Sequence, residues 1–198
     1  MLILFGMVLL NVVISFINAW SVGRSWADSK AVGGWARVVT WSAAVMSACG
    51  FTWVYLVILA LVARSGHWLP QRYVEGMLDL GYVVIILPVL GSGLAIWIDS
   101  LTTAWRERSL GSGAVAAYNT FAMAHNAYEA ASALPDAISG VTKAFASDDD
   151  EDSGAAALAI LLVIVALLGG VLTTAAIVRM SARSVARGVT SLRPHPAR

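Results

Sequence analysis

Four stretches of this sequence run for about twenty residues or more without an Asp, Glu, Lys, Arg or His: Leu2 to Val22, Val38 to Ala63, Leu80 to Ile98 and Ala155 to Val178. A helix rises about 1.5 Å per residue and the hydrocarbon core of a bilayer is about 30 Å thick, so roughly twenty such residues cross it. In lipid a helix keeps its backbone groups bonded within itself, and four such runs therefore specify an all-α integral membrane protein. Of the 198 residues 59% are apolar and 13% charged, where a soluble domain carries about 25% charged residues. A single membrane domain is expected over 1–198, with an extramembrane helical loop over 99–153 and a basic tail over 179–198. The first run reads as a retained span rather than a cleaved leader, because no basic residue precedes it and no small-residue cleavage site follows.

The helices are expected to outrun the lipid. Gly33 and Gly34 are the first strong breakers, so spans one and two form a hairpin about a tight glycine turn. Asp79 and Asp99 stand twenty residues apart, about 30 Å along a helix, and mark the two membrane surfaces. The third helix, entered at Pro70, continues past Asp99 to the stop at Gly111, Ser112 and Gly113. Between spans three and four the reading is an amphipathic helical hairpin at the bilayer surface. Its first helix carries Tyr118, Phe121, His125 and Tyr128 on one face, Pro135 punctuates, and its second carries Ile138, Val141 and Phe145. Trp20, Trp35, Trp41, Trp97 and Trp105 cluster at one membrane face and Trp68 at the other, with Trp53 deep in span two as a packing residue.

Several residues could carry function. Asn11, Ser15 and Asn18 stack on one face of span one and read first as interhelical hydrogen-bonding groups, alternatively as the lining of a pore. Small residues mark close helix contacts: Ala43, Ser47 and Gly50; Gly91 and Ala95; Gly169 with Thr173, and Gly170 with Thr174. Pro88 is expected to kink the third helix. Arg179, Arg183 and Arg187 repeat every four residues and anchor the end of the fourth span at the membrane surface. His125 and Glu129 read as a polar pair, since His-Asn-Ala-Tyr-Glu lacks the second histidine of a zinc motif. Asp148, Asp150 and Asp152 occupy positions one, three and five of a calcium-loop pattern, but Ser153 and Ala159 stand where it needs glycine and glutamate, so no metal is assigned.

A net charge of +1 and one cysteine, Cys49, argue against nucleic acid as partner and exclude an intrachain disulfide or cysteine metal cluster. No catalytic triad, phosphate loop or cofactor motif is present, and no enzyme activity or cofactor is expected. The four runs lack the ionisable groups that proton relays and ion-coupled transporters place at membrane depth. The expectation is a non-enzymatic structural or anchoring subunit of a homo- or hetero-oligomeric complex in a bacterial inner membrane, its partners being lipid, copies of itself and other membrane subunits. The alternative is a passive, holin-like pore lined by the span-one stripe. Seven Lys and Arg against six place both termini in the cytoplasm by a narrow margin.

Overall fold

The computed structural model describes residues 2–146 and 153–191, and these form five helices with no strand among them. They are α1 (Leu2–Val32), α2 (Gly34–Ser65), α3 (Gln71–Glu107), α4 (Leu110–Phe145) and α5 (Ser153–Ser191). Four of them, all but α4, are long and apolar enough to cross a membrane. The turn between α1 and α2 falls at the two glycines: Gly33 has φ 68° and Gly34 φ 52°, a left-handed backbone that residues with a Cβ rarely adopt.

Helices α1, α2 and α5 pack as a triangle, α3 lies against α2 and more lightly against α5, and α4 makes its substantial packing on α3. Helices consecutive in sequence run antiparallel, which leaves α1, α3 and α5 parallel to one another. Ser47 Oγ donates to the Ser15 carbonyl (2.8 Å) and accepts from Thr174 Oγ1 (3.1 Å), tying α2 to α1 and α5 at one buried point. Tyr55 and Thr173 share a hydroxyl bond of 2.8 Å, and Ser181 Oγ donates to the Trp20 carbonyl at 2.6 Å. The helices close on small residues. A Cβ on Gly170 would lie 2.5 Å from the Ala48 carbonyl and 2.7 Å from the Thr52 nitrogen, and one on Gly23 would strike the Val178 carbonyl. Towards the other end, Leu56, Ala63, Tyr73, Met77, Ala159 and Val163 fill an apolar core between α2, α3 and α5.

The expected hairpin between spans three and four is instead one helix. α4 is continuous for 36 residues with Pro135 inside it; proline removes one donor, and the solvent or lipid side of a helix tolerates that loss better than a packed side, and Pro135 is exposed. Nor do Gly111 to Gly113 stop α3. It ends at Glu107 because Arg108 turns left-handed (φ 49°), and the Ser109 hydroxyl then caps α4 by accepting from the Ser112 nitrogen at 3.1 Å.

α4 does not form a cap beyond the helix ends. It runs back along α3: Trp97 Nε1 donates to Thr120 Oγ1 (2.9 Å), Gly93 faces Met123, Gly140 lies against Asp79 and Gly76 against Ala144. The contacting positions are Ser112, Ala116, Asn119, Met123, Asn126, Ala130, Ala133, Ala137, Gly140 and Ala144, all buried or half-buried. Their strict four-three alternation is the seven-residue repeat of a coiled-coil seam, here built of small side chains that let the backbones approach. The aromatic face expected to pack is the outer one, with Tyr118, Phe121 and Tyr128 more than half exposed.

Because α4 returns along α3, the ends of the bundle are set by five helices rather than four. α1 begins at the end holding the α2–α3 and α4–α5 connections, whereas α5 finishes level with the Gly33 turn, as Gly23 against Val178 and Ser181 requires. The start of α1 and the end of α5 are therefore at opposite ends of the bundle. The tryptophan cluster does fall at one end: Trp35 Nε1 donates to Asp99 Oδ1 (2.9 Å), and Trp26 meets Trp41 edge-on at 5.3 Å.

Candidate functional site

Because α4 rests on α3 alone and α1 on α2 and α5, a cleft opens between α1 and α4 with α2 and α3 as its floor. Its volume is about 460 Å3. Asn11 and Asn18 line it from α1, His125, Asn126 and Glu129 from α4, Trp53 and Cys49 from α2, and Tyr82, Ile85, Ile86 and Val89 from α3. A smaller space of about 250 Å3 adjoins it, sharing Asn18, Met46 and Asn126 and adding Asn119, Tyr118 and Met123.

The depth of the cleft follows from the α3–α4 pairing. Thr120 is level with Trp97 and Gly140 with Asp79, so Glu129, nine residues beyond the first and eleven short of the second, is level with the middle of the uncharged run of α3. The Tyr82 hydroxyl donates to the Glu129 carbonyl (3.1 Å) and fixes α4 at this height. The His125 ring stacks on Phe121, 6.2 Å between centroids and 4° between planes. Within the bundle, Glu129 and His125 of α4 therefore stand level with the uncharged run of α3.

All three residues of the polar stripe of α1 line the cleft, Ser15 at its buried base. The Ser15 hydroxyl donates to Asn11 Oδ1 (3.3 Å) and its carbonyl holds Ser47. Ser47, Gly50, Gly169, Gly170, Thr173 and Thr174 lie at helix contacts, and Ala43 and Ala95 are half-buried. Gly91 is a correction: a Cβ there would meet nothing within 4 Å, because the face of α3 that packs on α4 passes through Gly93 instead. Pro88 is exposed, and α3 runs through it without a break. Arg179 and Arg183 are exposed on the end of α5. The side chain of Arg187, and Asp148, Asp150 and Asp152, lie outside the described residues.

Sequence reasoning passed over Asn126, Tyr82 and Trp53 as a group and read Glu129 only as half of a pair with His125. The signal that joins them is the four-three spacing of small residues in α4, which sets that helix against α3 and so turns Asn126 and Glu129 towards Asn11 and Asn18. Among the described residues no three His, Cys, Asp or Glu side chains gather as a metal site, and Glu129 has no ion-pair partner. One carboxylate, one imidazole, amides and two aromatic side chains over an apolar floor form a surface that binds and orients rather than one that coordinates. Compared with protein-family models, curated proteins and solved structures, the chain matches none.

Proposed function

We propose that this chain is a non-enzymatic subunit of a homo- or hetero-oligomeric membrane assembly, a five-pass unit whose α1/α4 side is closed by neighbouring subunits. The reading rests on Glu129. It is exposed on a helix that packs on α3 alone, level with the middle of α3's uncharged run. A charge at the centre of a membrane helix costs about 2.5–3.5 kcal/mol on insertion scales, and such residues face protein or water rather than lipid. Asp136 and His125 share the helix and the same constraint.

The charge distribution gives the unit an orientation. With five passes, Arg24, Lys30, Arg37, Arg106, Arg108, Arg179, Arg183 and Arg187 belong to one end of the bundle and only Arg64, Arg72 and Lys143 to the other. The basic end, which includes the end of α5, is placed in the cytoplasm of a bacterial inner membrane by the positive-inside rule. Eight against three is the count without Arg193 and Arg198, which lie outside the described residues.

Native mass measurement of the full chain in lipid nanodiscs tests the assembly, with more than one copy, or a co-purifying membrane subunit, as the expected result. A monomer with no partner at every concentration overturns it. A second reading, a passive pore, is favoured by one observation: Asn11 and Asn18 share their cleft with Asn126 and Glu129. Conductance in planar bilayers that falls with Asn18→Leu supports the pore, and its absence leaves the assembly without a conduit.

A further inference from the structure

We infer that the cleft between α1 and α4 is a binding site for a hydrophobic organic cation, with Glu129 as its counter-ion. Three features of the cleft converge on this ligand class. The first is sign: Glu129 is the one carboxylate lining it, no Lys or Arg lines it, and among the described residues nothing pairs with that carboxylate. A carboxylate with no cationic partner beside it attracts a cation. The second is the lining. Trp53 and Tyr82 line the same cleft as the acid, a combination that favours a diffuse organic cation over a hydrated one, and the floor of Ile85, Ile86 and Val89 cannot solvate a metal ion. The third is size: about 460 Å3 falls within the roughly 300–1,000 Å3 of pockets that enclose small organic ligands. Asn11, Asn18 and Asn126 supply oxygens that orient polar substituents without adding charge.

The inference goes beyond the assembly and does not depend on it, since every wall of the cleft belongs to one chain. It also differs from the pore reading, which needs a continuous path and no affinity.

Equilibrium binding of tetraphenylphosphonium to the purified full chain in nanodiscs provides the test. The wild type is expected to bind it saturably and to reject triphenylphosphine oxide, a neutral molecule of similar shape, at least tenfold. Glu129→Gln is expected to weaken phosphonium binding about tenfold or more. Glu129→Asp retains binding within a few-fold, and Asp136→Asn, which removes an acid of α4 outside the cleft, leaves it within twofold. Absence of saturable binding, equal affinity for the neutral probe, or an undiminished Glu129→Gln variant each overturns the site. The comparison of the two probes uses wild-type protein alone and holds even where a variant does not fold. A chain that binds phosphonium as a monomer supports the site while refuting the assembly, so the two failures are distinguishable.

Discussion

Replacing Gly170 with alanine should separate two helices that the bundle holds in backbone contact. The new methyl would lie 2.5 Å from the Ala48 carbonyl oxygen and 2.7 Å from the Thr52 nitrogen, both main-chain atoms of α2 that no rotamer change can move. Relief requires α5 to shift outward. Overpacking of this kind costs about 1–3 kcal/mol, and the shift also stretches the Ser47–Thr174 and Tyr55–Thr173 bonds on either side, each worth about 0.6 kcal/mol in a membrane. Alanine's better helix propensity returns up to about 1 kcal/mol, leaving a net loss of about 1–3 kcal/mol. Gly91→Ala is the matched control: the same substitution in the same type of helix, with nothing within 4 Å of the new methyl. Reversible unfolding in mixed micelles by titration with SDS, followed by tryptophan fluorescence, measures both. Equal stability of Gly170→Ala and wild type, or an equal loss in Gly91→Ala, would refute the packing described for α2 and α5.

Further expectations concern the hydroxyl network, the seam and the proline. Ser47→Ala removes the donor to the Ser15 carbonyl and the partner of Thr174 and should destabilise by about 1 kcal/mol in the same titration, with Ser65→Ala, exposed on the end of α2, near neutral. Gly140→Leu inserts a large side chain where Gly140 meets Asp79 and should free α4 from α3, seen as faster proteolysis within 110–145; unchanged cleavage would speak against the seam. Pro88→Ala should raise stability or leave it unchanged, because Pro88 is exposed and contributes no packing; a loss of more than about 1 kcal/mol would show that the proline shapes the bundle.

The sequence carries the four spans plainly because their signal is transfer free energy: each is an uncharged run long enough to cross lipid. The Gly33 turn is equally legible, since only glycine takes that backbone without strain. α4 is hidden for the opposite reason. Apart from Met123, its packing positions are alanine, glycine, serine and asparagine, which add little hydrophobicity, and their contribution comes from close approach to α3. Its large apolar residues, Tyr118, Phe121 and Tyr128, point outward and draw attention to the wrong face. The seven-residue spacing of Ala116, Met123, Ala130, Ala137 and Ala144 was available in the sequence, but small residues at such spacings are common, and only the facing glycines of α3, Gly76 and Gly93, make it a seam. The polar cleft follows from that misplaced helix: Asn11 and Asn18 were legible as a stripe, whereas their opposite wall required α4 to lie at the same depth.

Single cysteines on either side of α4 test whether it crosses the membrane as the proposed fifth pass. In a Cys49→Ala background, Ser109→Cys sits before α4 and Ala146→Cys after it. With five passes a membrane-impermeant maleimide added to intact cells labels Ala146→Cys and reaches Ser109→Cys only after permeabilisation. Labelling of both positions from the same side would contradict the fifth pass, and with it the depth of Glu129 and the opposite placement of the two ends.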